Sequence, residues 1–129
     1  MKLLLDTCTV IWAALTPDLL DGKVQHLIAN RSNTIHVSAV TAWEIATKVR
    51  LGKLPQAERL ERQFLEVMET AGYVLLPIDA IVALRAGRLT ADHRDPFDRM
   101  IAAQALSLDI PICSPDPHFD QFGVRRIWS

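Results

Sequence analysis

The sequence predicts an α/β protein: one domain built on a mainly parallel sheet of roughly five strands, with helices covering both faces. Short apolar or β-branched runs alternate along the chain with segments whose apolar residues recur at helical spacing. That alternation implies right-handed crossovers between parallel strands, hence a three-layer α/β/α sandwich. The chain has 129 residues, half of them hydrophobic, which suits a single domain over residues 1–129 with one sizeable core. No internal repeat, linker or low-complexity tract divides it.

Lys2 to Leu5 is a short apolar run and reads as the first strand, with Asp6 at its end. Thr7 to Leu15 carries Val10, Ile11, Ala14 and Leu15 at helical spacing, and Pro17-Asp18 breaks that helix. Gly22 to Asn30 gives a second helix with Val24, Leu27 and Ile28 on one face, closed by the turn Asn30-Arg31-Ser32-Asn33. Thr34 to Val37 is a second strand, and Ala39 to Leu51 a helix ending at Gly52. Pro55 opens a long amphipathic helix that Gly72 closes, with Leu60, Phe64, Val67, Met68 and Ala71 toward the core and Glu58 and Arg62 paired outside. Val74 to Ile78 is the third strand, and Asp79 caps a helix through Leu89. After a polar loop, a helix runs from about Pro96 to Leu108, and Ile110–Cys113 and Arg125–Trp128 supply the last two strands.

Composition narrows the function. The net charge is -1, so the chain lacks the overall basic excess of many nucleic-acid binders, and any RNA contact must come from local patches. Cys8 and Cys113 have neither C-x-x-C spacing nor a secretory context and read as free thiols. No apolar run is long enough to span a bilayer, and Met1-Lys2-Leu3-Leu4-Leu5 meets Asp6 too soon for a signal peptide, so the expectation is a soluble, unprocessed, cytoplasmic protein.

In an open parallel sheet, ligands bind beyond the carboxyl ends of the strands. Four acids belong there: Asp6 ends strand one, Glu44 lies early in the helix after strand two, Asp98 lies in the first turn of its helix, and Asp116 follows strand four. Carboxylates gathered at one edge repel one another, and a divalent cation relieves the conflict. Oxygen-only ligands suit Mg²⁺ or Mn²⁺, and such a site favours hydrolysis of a phosphodiester by metal-activated water, with one metal or two.

Each acid also has a structural reading. Asp95-Pro96-Phe97-Asp98 is a good helix start, with Asp95 as N-cap and Asp98 three residues on, so one caps while the other points at the metal. Thr41-Ala42-Trp43-Glu44 matches a capping box, yet Ser38 is an equal N-cap and would leave Glu44 mid-helix. Asp6 is placed to cap the first helix, and Asp116 to turn with Pro115 and Pro117. His93 and His118 lack a second histidine at ligand spacing and read as surface or substrate-edge residues; Trp43 reads as a core or interface anchor. Lys48, Arg50 and Lys53 follow Glu44, and Arg94 and Arg99 bracket Asp98, so positive charge for phosphates sits beside the acids.

Together these stretches resemble the PIN-domain family, and more narrowly its VapC-like toxins. The matching blocks are Lys2-Leu3-Leu4-Leu5-Asp6-Thr7; Ser38 to Ala46 with Lys48 beyond; His93-Arg94-Asp95-Pro96-Phe97-Asp98-Arg99 running into Ile101 to Ala105; and Cys113-Ser114-Pro115-Asp116 before Phe119. They occur in family order over nearly the whole chain. The resemblance implies a PIN-like sandwich, a Mg²⁺ or Mn²⁺ site on Asp6, Glu44, Asp98 and Asp116, and endoribonuclease activity. It also implies homodimers and a cognate antitoxin that blocks the site. Ser114 takes the place of a usual Thr, and Ser114, Arg99 and Lys48 are the residues placed to meet RNA. Cys8-Thr9 replaces a His-containing pair common in close relatives, Pro115 stands where a small polar residue is usual, and Thr47 interrupts an apolar position.

Three other functions compete. A PIN module without catalysis would bind RNA or a partner and turn nothing over. A haloacid-dehalogenase-like phosphatase also ends its first strand in Asp, but it needs a second Asp two residues on, where this chain has Cys8. A receiver-like signalling domain would place a Lys after a late strand, and Ile110 to Asp116 has none.

Overall fold

The computed structural model describes residues 1–92 and 94–129. The reading of His93 as a surface or substrate-edge residue therefore lies outside the described residues. Among these, five parallel strands form one sheet in the order β3-β2-β1-β4-β5. The strands are β1 (Lys2–Leu5), β2 (Thr34–Ser38), β3 (Val74–Leu76), β4 (Ile112–Cys113) and β5 (Arg126–Ile127). The helices are α1 (Thr7–Leu15), α2 (Gly22–Ala29), α3 (Ala39–Arg50), α4 (Glu58–Arg62), α5 (Phe64–Ala71), α6 (Ala80–Arg88) and α7 (Pro96–Leu108), with three short 3₁₀ turns. This is the α/β sandwich that the alternation of elements predicts. No helix among the described residues is long and apolar enough to cross a membrane.

Strand periodicity builds the two cores. Leu3 and Leu5 project to one face of β1 and pack with Val10, Val24, Ile45, Leu60, Phe64 and Met68; Leu4 projects to the other and packs with Val40, Ile101, Ala105 and Phe119. One core is thus closed by α1, α2, α4 and α5, the other chiefly by α7. Both faces being apolar, β1 reads as a continuous hydrophobic run, as buried parallel strands do.

The long helix expected from Pro55 to Gly72 is broken. A 3₁₀ turn (Pro55–Ala57) leads into α4, which ends at Gln63 before α5 begins. Residues spaced by four advance about 40° around a straight helix at each step, so Leu60, Phe64 and Met68 would spiral away from a single face. The break realigns them, and all three are buried. The apolar face stops at Met68, since Ala71 is exposed. Strands three, four and five are also shorter than their apolar runs, and Trp43 is no core residue, being 58 % exposed.

Candidate active site at the carboxyl edge of the sheet

Asp6 follows the last residue of β1 and caps α1. Its Oδ1 accepts the Thr9 backbone N–H at 2.8 Å, and its Oδ2 accepts the Ser114 hydroxyl at 2.6 Å. Ser114 follows β4, which pairs directly with β1, so strand pairing alone brings the two residues together. The Ser114 Oγ also accepts the Asp116 backbone N–H at 3.0 Å. One buried hydroxyl therefore ties the turns after two neighbouring strands. Thr9 Oγ1 adds a bond to the Cys113 carbonyl at 2.9 Å, and Thr7 and Thr41 join α1 to α3 through their hydroxyls at 3.0 Å.

Glu44 approaches from α3. Ser38 caps that helix, its Oγ accepting the Val40 N–H at 3.0 Å, and Glu44 is thereby left mid-helix with a free side chain for the site. Its Oε2 receives Lys48 Nζ one turn on, while its Oε1 is buried with no hydrogen-bond partner among the described residues. Asp6 and Glu44 are only 4 % and 5 % exposed. Burial pushes the Asp6 carboxyl above its ordinary range and Glu44 pushes it further, against the hydrogen bonds from Ser114 and Thr9 that favour the carboxylate.

Two other groups sense the remaining acids. Burial, with the charges of Asp6, Glu44 and Asp116, pushes the half-buried Cys8 thiol up to about 12. Partial burial opposes the charge on Lys48, but the hydrogen bond and charge of Glu44, joined by Asp95 and Asp98, outweigh it and raise the ammonium above its ordinary value. Asp6, Glu44 and Asp116 are thus near enough to act on Cys8, and Glu44 and Asp98 near enough to act on Lys48. Among the described residues, however, no three Asp, Glu, His or Cys side chains are gathered closely enough to form a ready-made metal cage.

The competing structural roles resolve residue by residue. Asp95 caps α7, accepting the N–H groups of Phe97 at 2.9 Å and Asp98 at 3.4 Å, which relieves Asp98 of that task. Asp116 caps the 3₁₀ turn Pro117–Phe122 through the His118 N–H at 2.9 Å, and its Oδ1 meets His118 Nδ1 at 2.8 Å. Arg99, expected to meet substrate, has backbone partners of its own. Its guanidinium donates to the carbonyls of Ala86, Gly87, Leu89 and Ala91, so it gathers the orphan carbonyls at the end of α6. A planar fork of donors beside a helix end is well matched to that task. Lys48 is committed to Glu44.

The sequence reading missed the threonines Thr7, Thr9 and Thr41 and the bridging geometry of Ser114. Hydroxyls one and three residues after Asp6 and two before Asp116 are the signal that was available. A cleft of about 240 Å³ opens beside Glu44, lined by Thr7, Cys8, Trp12, Lys48 and Gln56 among others. A larger apolar groove of about 540 Å³ runs between α1 and α5 past Ala13, Met68 and Tyr73, and holds none of the four acids.

The donor set fits a hard divalent cation. Asp6, Glu44 and Asp116 offer only oxygen, one Glu44 oxygen is buried without a partner among the described residues, and Asp6 is buried with no ion pair among them. Mg²⁺ commonly takes one or two carboxylates and keeps its waters, so a three-member cage is not a requirement.

A fold of this order, with acids converging at the carboxyl ends of its central strands, defines a class, and sequence comparison names it. The PIN domain family matches residues 3–124, and the chain belongs to that family, whose members are generally nucleases. No curated protein is significantly similar in sequence. Among solved structures, FitAcB from Neisseria gonorrhoeae is 27 % identical with a TM-score of 0.67, covering 97 % of this chain and 96 % of that one. VapBC2 from Rickettsia felis, bound to a DNA fragment from its promoter, is 17 % identical with a TM-score of 0.72 over the full length of both chains. VapBC-1 from nontypeable Haemophilus influenzae is 20 % identical with a TM-score of 0.65, covering 98 % and 97 %.

Proposed function

We propose that this protein is a cytoplasmic, Mg²⁺- or Mn²⁺-dependent endoribonuclease and acts as the toxin of a toxin-antitoxin pair. The observation that carries the proposal is the burial of two carboxylates, Asp6 and Glu44, one Glu44 oxygen having no partner among the described residues, at the carboxyl edge of a PIN sheet. Asp6 and Glu44 are the residues that would hold the cation, with Asp98 and Asp116 beside them. The cation would supply activation of a water and stabilisation of the leaving oxygen of the phosphodiester. Ser114 fixes the Asp6 carboxylate by occupying one oxygen, and Thr9 N–H fixes the other. Lys48 balances one oxygen of Glu44 and leaves the second for a ligand.

The similarity to VapBC and FitAcB assemblies supports a cognate antitoxin, and the family resemblance supports a second copy of this chain as a further partner. The test is incubation of the purified chain with structured and unstructured RNA in Mg²⁺, Mn²⁺ or EDTA, beside Asp98→Asn. Metal-dependent cutting that the variant loses supports the reading. Absence of cutting, with no metal binding by calorimetry, sinks it.

One observation favours a second reading. Asp116 is engaged with His118 and no three-member cage stands ready among the described residues, as in a module that binds RNA or a partner without turnover. RNA binding that survives EDTA without any cleavage selects it. A phosphatase reading is weaker, because the Cys8 thiol stays protonated and cannot replace the second Asp.

A further inference from the structure

The cleft of about 240 Å³ beside Glu44 is only partly accounted for by cation binding. Helix α3 contributes Glu44 and Lys48 to it, and α1 contributes Ile11 and Trp12. The hydroxyls of Thr7 and Thr41, 3.0 Å apart, tie these two helices together. The turn Pro55–Ala57 and the residue before it complete the wall with Gln56 and Leu54. Trp12 is half-buried, and its ring meets that of Trp128 at 5.8 Å with a tilt of 53°, which restricts how the indole turns.

Two kinds of wall meet in this cleft. Ile11, Trp12 and Leu54 are apolar, and an indole offers a broad π face to a flat partner. Gln56 is exposed and brings a carboxamide, which is donor and acceptor at once. A nucleobase is the complement of that pair, with faces that stack on aromatic rings and an edge of donors and acceptors. Pockets for drug-sized ligands start at about 300 Å³, so this one suits a single ring system. Charge outside the cleft suits the rest of a nucleotide. Arg50 ends α3 and Lys53 precedes Leu54; both are exposed, and neither is in an ion pair among the described residues. Cations in that position meet phosphates. Because Glu44 lines the same cleft, a base seated there brings its own phosphates to the acidic edge.

We propose that this cleft is a base pocket for single-stranded RNA, in which one nucleobase stacks on Trp12 and Gln56 reads its edge. The proposal rests on the ribonuclease reading for its substrate, so its test measures binding in Ca²⁺ and follows cleavage in Mg²⁺ separately. The probes are fluorescein-labelled RNA hexanucleotides of A, of U and of C, and versions with one abasic position moved along the strand. Anisotropy titrations with the full chain should find one position at which loss of the base weakens binding about tenfold. Trp12→Leu should weaken binding of the intact hexanucleotides by a similar factor and be indifferent to the abasic position, because both changes remove one contact. Trp12 also packs on the core, so Gln56→Ala, at an exposed position, supplies a second arm. It should narrow the spread of affinities among the three intact hexanucleotides by about threefold. No binding of any hexanucleotide, abasic strands bound as well as intact ones, an abasic penalty that persists in Trp12→Leu, or a spread unchanged in Gln56→Ala would each overturn the proposal. Abasic strands bound as well as intact ones are also what a cleft made for a protein side chain would give. Cleavage without a base-dependent position sinks this proposal alone, and base-dependent binding without cleavage sinks only the nuclease reading.

Discussion

Replacing Ser114 by Ala tests how the site is held. The hydroxyl donates to the buried Asp6 carboxylate and accepts the part-buried Asp116 N–H, and the residue is fully enclosed. A hydrogen bond to a charged group contributes roughly 2 kcal/mol net, and a half-buried N–H left without its acceptor costs about 1 kcal/mol, so the loss is about 3 kcal/mol. At about 2.1 cal/mol/K per residue, unfolding 129 residues carries an entropy of about 0.27 kcal/mol/K, and the melting temperature should fall by about 10 °C. The loss depends on pH. Asp6 has a folded pKa above its unfolded 3.8, so its contribution is present below 3.8 and is lost as pH rises through the folded value. Without Ser114 the folded value climbs further, and the deficit of the variant should grow from about pH 4 to about pH 8, by about 1 kcal/mol as a neutral bond becomes a charge-assisted one. Thermal melts in EDTA at both pH values measure this, with Ser114→Thr as the variant that keeps both bonds. A deficit that shrinks with rising pH, or a Ser114→Thr variant as unstable as Ser114→Ala, would refute the reasoning.

Asp6→Asn should abolish cleavage yet raise metal-free stability near neutral pH, because Asn caps a helix about as well as Asp and carries no buried charge; melting in EDTA beside an RNA-cleavage assay checks both halves. Arg99→Met should lower stability by about 2 to 4 kcal/mol by stranding the carbonyls of Ala86, Leu89 and Ala91, so urea unfolding should shift while the RNA affinity of the fraction still folded does not. Cys8, with its thiol pushed up to about 12, should react with iodoacetamide far more slowly at pH 8 than a free thiol, and Asp6→Asn should speed it by removing one of the charges that oppose the thiolate.

The layered fold was legible because its signals are local. A run such as Lys2–Leu5, apolar on both faces, allows nothing but a buried parallel strand in a chain that alternates with helices. The caps were legible for the same reason, since Asp79, Asp95 and Ser38 each act on N–H groups two or three residues away. The break at Gln63 was not, because periodicity by fours looks continuous in the sequence, and only the demand that Leu60 and Met68 enter one core exposes the mismatch. Arg99 illustrates a harder limit. A basic residue next to Asp98 looks like a phosphate ligand, and only the path of the chain after α6 brings four carbonyls within its reach. The site shows the same divide: the four acids could be picked out by position after strands, but the 108 residues between Asp6 and Ser114 are bridged only by the pairing of β1 with β4.

Capping and chemistry are not rival explanations for Asp6, because burial separates what each requires. Asp21 and Asp79 cap α2 and α6 through bonds of 2.9 and 2.8 Å, close to the 2.8 Å bond from Thr9 to Asp6, and neither is buried. Those two gain the full benefit of an N-cap without surrendering hydration. Asp6 performs the same task while almost wholly desolvated, next to the equally buried Glu44, and its carboxyl is pushed up in consequence. A helix start alone would be served as well by an exposed Asp, or by a buried Ser such as Ser38 in α3, at lower cost. Lys48 already meets Glu44, so what remains to be offset is the buried Asp6 carboxyl, which has no ion pair among the described residues, and a bound cation would do so. On this argument Mg²⁺ should raise the melting temperature of the parent chain more at about pH 8 than at about pH 4, where a carboxyl held above its ordinary range takes up a proton and has less need of the cation. Calorimetric melts at the two pH values would decide it, and a stabilisation by Mg²⁺ that is independent of pH would place the cation away from Asp6.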